Sequence, residues 1–387
     1  MNENFLVRKI SENQVEKELC SIGFDSSYLD IAKSKYQSDL FKISNLTPLQ
    51  ATILKQTALS CGTDCAVHRD VLTHSIEYSD VLLFATSAQL KEILKKLSSQ
   101  PFGLKKLAQN LEAISQNSTS AFKIRSKTFT PEKTYIMGIL NCTPNSFSDG
   151  GEFLEEKNAM QRFDEIIAQG SDIVDIGAES TAPFNDAINI DEEINRIKDI
   201  LKKCREQNAD IPISVDTRNA KTAKLALDLG ADIINDVSGF VYDEKMAEVA
   251  AGANAYAVLT FDDEINSNTI DETVKGLLKR VDIATNAGLS LEKIILDPGL
   301  GFRKTFEQNY EIIKRADEIC SLGFPVLYGL SRKSFVQKVT RLKPKETLCA
   351  NISLAAYLAQ KGVRILRVHD VLEHKIAFSA LDKVLYD

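Results

Sequence analysis

The stretch NAKTAKLALDLGADIINDV, residues 219–237, holds one complete unit of the pattern that decides the fold. Its first half places apolar residues three and four positions apart, as at Ala220, Ala223 and Leu227, which predicts an amphipathic helix. Gly230 follows, at a position where helices commonly end in a left-handed residue. The second half is short and nearly apolar, which is typical of a parallel strand covered on both faces.

The same order of helix, glycine or turn, and strand recurs from about residue 131 to the end of the chain. The predicted strands are TYIMGILN (134–141), SDIVDIG (171–177), IPISVD (211–216), ADIINDV (231–237), ANAYAVLTF (253–261), LEKIILD (291–297), FPVLYGLS (324–331) and VRILRVHD (363–370). Eight such units within residues 131–387 fit a (β/α)8 TIM barrel, whose usual size is about 250 residues. A doubly wound open sheet is the alternative, but no Gly-x-Gly-x-x-Gly follows the first strand.

Composition limits the partners and the cellular compartment. The 387 residues carry a net charge of −7, which gives no sign of a nucleic-acid or anionic-membrane surface. No run approaches the length of a membrane-spanning helix, and the first 20 residues lack the apolar core of a signal peptide. Seven scattered cysteines suit reduced thiols, so we expect a cytoplasmic protein that acts on small molecules and contacts neither nucleic acid nor membrane.

One short motif outside the repeats contains residue types that bind metal ions. Cys61 and Cys65 are separated by three residues, and His68 follows closely. These three side chains could bind zinc, but thiols buried at a helix end are the simpler interpretation.

Polar side chains follow the predicted strands at the points where the strands end, which is where barrel enzymes place their chemistry. Any one of them could be an ordinary helix cap or turn residue. Together they would arrange carboxylates, amides and cations around one rim, which suits a polar heterocycle joined to an anionic group. These residues are Asn141, Glu179, Ser180, Thr181, Asp216, Asn235, Asp236, Asp297, Gly299, Gly301, Ser331, Arg332, Lys333, Arg367 and His369.

The loop after the first strand is unusually long. Residues 143–146 read as a turn, and residues 148–151, with two glycines at their end, read as a mobile segment. Loops in βα units usually have two to six residues, so the extra length favours a lid that excludes water over a plain connection.

In order along the chain, GILNCTPNSFSDGG, DIGAEST-P, ISVDT, DIINDVSG, LDPGLGF-K, GLSRKSF and RVHDV resemble the dihydropteroate synthase family of pterin-binding barrels. The resemblance covers about residues 133–385, and the ordered set is far more specific than any single motif. It implies a transferase of folate biosynthesis that joins 7,8-dihydropterin-6-ylmethyl diphosphate to 4-aminobenzoate, releasing diphosphate. It also implies a Mg2+ ion at the diphosphate and a homodimer.

The resemblance further implies site residues by their positions in these motifs. Asn141 would bind the metal and, with Arg367 and His369, the diphosphate. Asp216, Asn235 and Asp297 would read the pterin ring, with Lys333 beside it. Substrate contacts are also expected from Thr181, Gly301, Phe302 and Ser331, and direct catalytic roles from Asp297, Lys333, Arg367 and His369.

Two positions depart from the family pattern. Ala182 stands where the family usually has arginine, and Phe261 where it usually has histidine. These departures affect the expected aminobenzoate contacts and leave the expected pterin contacts unchanged, and Arg303 is a candidate replacement cation. A pterin-dependent methyltransferase and a non-catalytic pterin-binding paralogue remain the alternatives. The diphosphate-type lid, Lys333 and the Arg-x-His pair argue against the methyltransferase.

Residues 1–130 are predicted to form a small α/β domain with a linker at its end. A helix is expected to begin at Pro48 after a Thr47 cap, and another after a Ser87 cap. The polar segment that ends near residue 130 reads as the linker. The region resembles N-terminal extensions of some bacterial members of the family, and no chemistry is assigned to it.

Overall fold

The structure of the chain is a computed structural model that describes residues 6–116, 120–142, 152–177 and 189–386. It forms two compact units, Met1–Gln116 and Asn117–Asp387. The division lies earlier than the boundary predicted near residue 130. The reason is that the segment read as a linker contains a β-hairpin, which belongs to the second unit.

The N-terminal unit is a small α/β module. Strands β1 (Ser38–Leu46), β2 (Cys65–Val67) and β3 (Ser79–Thr86) form an antiparallel sheet in the order β1-β3-β2. Alternate residues of β3 are buried against the helices, as the period of a half-covered strand requires. The helices in the described part of this unit are α1 (Val15–Ser21), α2 (Leu29–Tyr36), α3 (Pro48–Ser60), α4 (Ser87–Ser98) and α5 (Leu104–Gln116).

Helices α3 and α4 each begin directly after a threonine whose side chain caps the helix. Helix α3 begins at Pro48 after a Thr47 cap, as predicted. Helix α4 differs by one residue from the prediction, because Thr86 and not Ser87 is the cap. The Thr86 hydroxyl accepts from the Gln89 backbone N–H, and the Gln89 side chain accepts from the Thr86 N–H. Two helix-end donors are thereby satisfied by one reciprocal pair.

The second unit contains one parallel eight-stranded sheet. Its strands run in the order β11-β10-β9-β8-β7-β6-β13-β12, and a parallel bridge between Leu296 and Val326 brings its two edges together. The predicted (β/α)8 barrel is therefore confirmed, and the doubly wound alternative is wrong. The strands are β6 (Tyr135–Asn141), β7 (Ile173–Gly177), β8 (Ile213–Asp216), β9 (Ile233–Asp236), β10 (Tyr256–Thr260), β11 (Ile294–Asp297), β12 (Leu327–Gly329) and β13 (Ile365–Val368).

Helices surround this barrel, and two of its units depart from the simple repeat. The helix predicted after β11 breaks at Arg315, and a short extra helix follows β12. None of the helices in the described ranges is long and apolar enough to span a bilayer. The helices are α6 (Glu152–Ala168), α7 (Ile190–Gln207), α8 (Ala220–Asp228), α9 (Met246–Gly252), α10 (Thr269–Asn286), α11 (Phe306–Lys314), α12 (Ala316–Cys320), α13 (Ser334–Thr340), α14 (Leu348–Gln360) and α15 (Val371–Leu385).

The hairpin of β4 (Phe122–Ile124) and β5 (Lys127–Phe129) covers the amino-terminal end of the barrel. Ile124 and Phe129 are buried against residues near the starts of the strands, and the rings of Phe122 and Phe129 stack with centroids 4.8 Å apart. Apolar burial of this kind stabilises a cap over one end of the barrel. The amino-terminal end of the barrel is covered in this way, whereas polar side chains line a cavity at the carboxyl ends of the strands.

Candidate active site

A cavity of about 350 Å³, partly open to solvent, lies at the carboxyl ends of the barrel strands. Its walls come from six successive strands or the loops that follow them, β8 to β13. Val237, Thr260, Leu300 and Gly329 supply the less polar part of the wall. Six of the predicted site residues line it: Asp216, Asn235, Asp297, Phe302, Lys333 and Arg367.

The other residues expected to contact substrate are placed in four ways. Gly301 adjoins the cavity, since a Cβ built on it would lie 3.1 Å from Cδ of Lys333. Ser331 and His369 contact each other, because the His369 backbone N–H donates to the Ser331 hydroxyl at 3.3 Å. Asn141 is the last residue of β6, at the same end of the barrel. Thr181, Ala182 and the predicted lid of residues 143–151 lie outside the described residues.

Arg367 is held in the cavity by two buried carboxylates. Its Nε donates to Asp175 at 2.6 Å, and its Nη2 donates to Asp216 at 2.7 Å. The Asn235 amide also donates to Asp175, at 3.2 Å. Burial favours loss of the Arg367 proton, but the two carboxylates outweigh it and raise the pKa of Arg367. The guanidinium is therefore a fixed positive charge at the mouth.

Asp175 is the residue of this network that sequence reasoning missed. It lies in the middle of β7 and is fully buried. A carboxylate inside an otherwise apolar strand is a usable signal, because a buried charge needs a partner. The polar residues at strand ends do not reveal it, because Asp175 lies in mid-strand.

Two carboxylate oxygens in this network have open acceptor capacity. Oδ1 of Asp175 and Oδ1 of Asp216 are buried, and neither has a hydrogen-bond partner among the described residues. A buried acceptor without a donor is costly, so a bound molecule that brings N–H groups would be stabilised here. Burial, opposed by Arg367 and reinforced by Asp175, raises the pKa of Asp216 to about 7.

Asp297 ends β11 and is also buried. One of its oxygens, Oδ1, accepts from the Gly299 backbone N–H at 2.8 Å. Burial raises the pKa of Asp297, although this hydrogen bond and the charge of Lys333 act in the opposite direction. The Asp297 carbonyl accepts from the Phe261 N–H, which ties the ends of β10 and β11 together.

Two half-buried lysines carry positive charge beside these carboxylates. Burial lowers the pKa of Lys333 to about 8, and its Nζ lies 4.4 Å from the ring centroid of Phe302. Burial also lowers the pKa of Lys304 to about 8. Nζ of Lys304 donates to the carbonyls of Phe261 and Phe302, at 2.7 and 3.2 Å. Lys304 therefore fixes the loop that carries Phe302, a function that its place in the LDPGLGF-K motif did not reveal.

His369 differs in charge from Arg367, the other candidate contact for the diphosphate on β13 and the loop after it. Burial, together with the charges of Arg332 and Arg367, lowers the pKa of His369 to about 3. Its ring is therefore neutral near pH 7, and Nδ1 has no partner in the described part of the chain. His369 can offer a phosphate an N–H hydrogen bond, but it does not add a positive charge.

Phe261, which stands where the family usually has histidine, follows β10 directly and packs against neighbouring side chains. Its ring lies between two cations, with Arg280 at 5.1 Å and Lys304 at 4.7 Å from the centroid. Gly276 makes room for the ring, since a Cβ there would lie 2.2 Å from it. Arg280 is itself fully buried and pairs with Asp262 and Asp263. Arg303 is exposed at a φ of 43° and does not line the cavity, so its substitution for the missing arginine stays a prediction.

A buried carboxylate behind the cavity supports the loop after Asp216. Glu193 accepts from the hydroxyls of Thr217 and Thr222, each at 2.6 Å, and from the Asn219 amide at 2.8 Å. All four side chains are buried. Glu193 thus connects the first turn of α7 to the segment that follows β8.

We expect Glu193→Ala to lower the free energy of unfolding by about 2–4 kcal/mol, because three buried donors would lose their shared acceptor. Urea denaturation followed by circular dichroism would measure the change. Glu192→Ala is the matched control, since Glu192 is exposed and its pairing with Arg196 should be worth less than about 1 kcal/mol. Equal midpoints for the two variants would show that the Glu193 network does not stabilise this region.

No group of three or more His, Cys, Asp or Glu side chains is placed to hold a metal ion among the described residues. Cys61, Cys65 and His68 therefore do not form such a group, and both thiols are free. At the mouth, Asp175 and Asp216 already bind Arg367. A hard cation here would therefore depend on amide oxygen and on the oxygens of a bound phosphate, which is how Mg2+ is commonly held.

Comparisons with known proteins agree with this geometry. Residues 137–369 match the family model described as pterin binding enzyme. A dihydropteroate synthase of Clostridium beijerinckii is 41% identical over 267 residues, which are 68% of this chain and 99% of that protein. A probable bifunctional folylpolyglutamate synthase/dihydropteroate synthase of Halobacterium salinarum is 38% identical over 337 residues. That match covers 85% of this chain but only 41% of the relative, so it also reaches into the N-terminal unit.

Solved structures give the same result. A dihydropteroate synthase from Clostridium difficile, crystallised in the presence of pteroic acid, is 38% identical with a TM-score of 0.65. The matched region covers 69% of this chain and 100% of the Clostridium difficile chain. A Xanthomonas albilineans dihydropteroate synthase with 4-aminobenzoic acid is 31% identical, also with a TM-score of 0.65, and covers 69% of this chain and 98% of that one. This chain belongs to the pterin binding enzyme family and, within it, to the dihydropteroate synthases.

Proposed function

We propose that this chain joins 7,8-dihydropterin-6-ylmethyl diphosphate to 4-aminobenzoate in the cavity at the barrel mouth, giving 7,8-dihydropteroate and diphosphate. The observation that carries the proposal is the composition of that one cavity. Asp216, Asn235 and Asp297 line it together with Lys333 and Arg367. A dihydropterin diphosphate has a ring rich in N–H donors and an anionic tail, and this set of side chains suits both parts.

The pterin ring would be read by the buried acceptors. Asp216 and Asp297 accept N–H hydrogen bonds when they are ionised, and the Asn235 amide can donate or accept. Oδ1 of Asp216 is free of partners among the described residues and so is available to such a ring. Lys333 would lie beside the ring as a cation. The negative charges of Asp297 and Asp216 favour its protonated form.

The diphosphate would be held by cations and hydrogen-bond donors at the rim. Arg367 supplies a positive charge that stays protonated, and neutral His369 supplies a ring N–H. Mg2+, which the family resemblance implies, would be bound by the amide oxygen of Asn141 and by diphosphate oxygens. When bound, it supplies charge neutralisation of the leaving group.

The reaction needs no side-chain nucleophile. The bond from the pterin methylene carbon to the diphosphate oxygen breaks, and its electron pair leaves with the diphosphate. The electron-rich ring delocalises the positive charge of the methylene, which ionised Asp297 would stabilise. The aromatic amine of 4-aminobenzoate then attacks the methylene carbon and releases one proton to water. Phe302 and Gly301, beside Lys333, would border the aminobenzoate pocket.

The purified chain, supplied with the pterin diphosphate, labelled 4-aminobenzoate and Mg2+, tests this proposal. We expect labelled pteroate and an equal amount of diphosphate, and a large loss of rate when the metal is removed with a chelator. Tight pterin binding without product would instead support the non-catalytic paralogue. Turnover of methyltetrahydrofolate with a corrinoid protein would support the methyltransferase.

The rate should depend on pH through Asp216, which is buried, and Lys333, which is half-buried. Ionised Asp216 is the stronger acceptor for ring N–H groups, whereas protonated Asp216 carries an O–H of its own, so kcat/KM should rise as pH increases through about 7. Lys333 is a cation only below its pKa of about 8, so kcat/KM should fall as pH increases further. Initial rates from pH 5.5 to 9.5 would show a bell. Lys333→Met should remove the alkaline limb, and a flat wild-type profile would contradict both assignments.

We also propose a homodimer in a reducing cytoplasm. Leu372 and Ile376, one turn apart on α15, are 44% and 62% exposed, which supports a protein contact on that helix. All seven cysteines are free thiols, which suits a reducing compartment. Light scattering of the wild type and of Ile376→Lys would test the dimer, since a lysine on that face should shift the mass toward the monomer.

A further inference from the structure

We propose that the cavity at the amino-terminal end of the barrel binds a small phosphate-bearing anion, at a site separate from the cavity at the mouth. This second cavity encloses about 550 Å³, partly open to solvent. It lies between the β4–β5 hairpin and the segments that lead into β9, β10 and β11. The inference does not depend on the reaction proposed for the mouth.

The charge of the cavity wall favours an anion. Lys123, Arg125 and Lys293 line it, against a single lining carboxylate, Asp232. The chain as a whole has a net charge of −7, so this concentration of cations is opposite in sign to the protein's overall balance. Positive charge in a concave surface raises the local concentration of anions.

Asp232 does not neutralise the lysines, because two arginines already bind it. Arg125 pairs with it at 2.7 Å and Arg205 at 2.8 Å. The Arg125 guanidinium also donates to the carbonyls of Ala209 and Gly230, at 3.1 and 3.0 Å. These contacts engage all three nitrogens of Arg125 and hold the hairpin in place, so Arg125 forms a rigid wall and the binding charge comes from the lysines.

Lys123 and Lys293 both contact Tyr256, Lys293 through its ammonium group and Lys123 through its backbone carbonyl. Nζ of Lys293 lies 4.1 Å from the ring centroid of Tyr256, and the Tyr256 hydroxyl donates to the Lys123 carbonyl at 3.0 Å. Among the described residues, neither ammonium group has a carboxylate partner within ion-pair distance. Glu292 acts electrostatically on Tyr256, yet cations still outnumber carboxylates around the cavity. Two ammonium charges carried by residues that line one cavity suit phosphate oxygens.

The absence of tryptophan from the sequence permits a site-specific test. Leu227 lines this cavity and is partly buried, so Leu227→Trp would place the chain's single indole there. Titration with inorganic pyrophosphate should give a saturable fluorescence change that weakens as salt is added. Pyrophosphate bound at the mouth would not be reported, because that cavity is at the opposite end of the strands.

In the same background, Lys123→Ala combined with Lys293→Ala should weaken binding by at least about tenfold, since two charge-assisted contacts are lost. The matched control is Lys202→Ala combined with Lys224→Ala. These two lysines are exposed on α7 and α8, and their loss changes the net charge equally. The control should leave the dissociation constant within about twofold, as expected for exposed charges.

Hydrogen–deuterium exchange of the unsubstituted protein provides a second readout. Pyrophosphate should slow exchange in residues 122–129 and 253–256, and should not do so in the Lys123→Ala, Lys293→Ala protein. The proposal is overturned if neither readout responds at millimolar pyrophosphate. It is also overturned if the response survives loss of both lysines, or if the control pair weakens binding as much as they do.

Discussion

Arg367→Ala should reduce kcat/KM for pteroate formation by about a hundred- to a thousandfold. Arg367 is the fixed cation of the mouth, and removing a preorganised charge that stabilises a leaving group costs about 3–4 kcal/mol of transition-state binding. Its loss would also leave Asp175 and Asp216 facing each other without the guanidinium that separates them. Initial-rate kinetics with saturating aminobenzoate would measure the effect.

Two controls separate the charge of Arg367 from its geometry. Arg367→Lys keeps the charge, but one ammonium cannot reproduce the forked contact with two carboxylates, so the variant should recover only part of the rate. Arg364→Ala alters an arginine that comes immediately before β13 and donates to the Tyr386 hydroxyl, and it should leave kcat/KM nearly unchanged. If the Arg364 and Arg367 alanine variants lose activity equally, the assignment of Arg367 to the diphosphate is wrong.

Asp297→Asn should weaken pterin binding by about ten- to a hundredfold and lower kcat further. An asparagine keeps the shape, but it loses the negative charge that accepts the ring N–H and that would stabilise the methylene cation. Calorimetric titration with the pterin diphosphate gives the binding part of this effect, and single-turnover rates give the remainder.

Asp236→Asn makes a matched contrast at the same depth in the barrel. The Asp236 oxygens are already occupied, by the backbone N–H groups of Ser238 and Phe240 and by the Ser238 hydroxyl. This carboxylate shapes a turn and does not line the cavity. Its variant should lose thermal stability and retain pterin affinity. The reverse result, with pterin affinity lost at Asp236 and kept at Asp297, would exchange the two assignments.

The barrel and its mouth were predictable because the repeat fixes where strand ends meet. Once eight parallel strands are assigned, side chains as distant in sequence as Asp216 and Arg367 must face one another at one end. Helix boundaries were less predictable. The break at Arg315 and the cap at Thr86 depend on local backbone conformation and reciprocal hydrogen bonds that hydrophobic spacing does not encode.

Side chains that act through other residues were the least predictable. Asp175 holds Arg367, Lys304 holds the loop of Phe302, and Glu193 holds the segment after β8. Each supports a residue or loop at or near the cavity through contacts between segments distant in sequence, so its importance appears only when the chain is folded. The hairpin at residues 122–129 was misread for a related reason. Its polar composition suggests a linker, but its few apolar side chains are the ones that bury against the barrel.

A crystal structure of the chain with pteroic acid bound tests the central claim most directly. The account predicts that the pterin ring lies in the mouth cavity, with polar atoms within about 3.2 Å of Asp216, Asn235 and Asp297. The aminobenzoate part should then extend past Lys333 and Phe302. A ring bound elsewhere in the barrel, or in the mouth but out of hydrogen-bond reach of these three side chains, would contradict it.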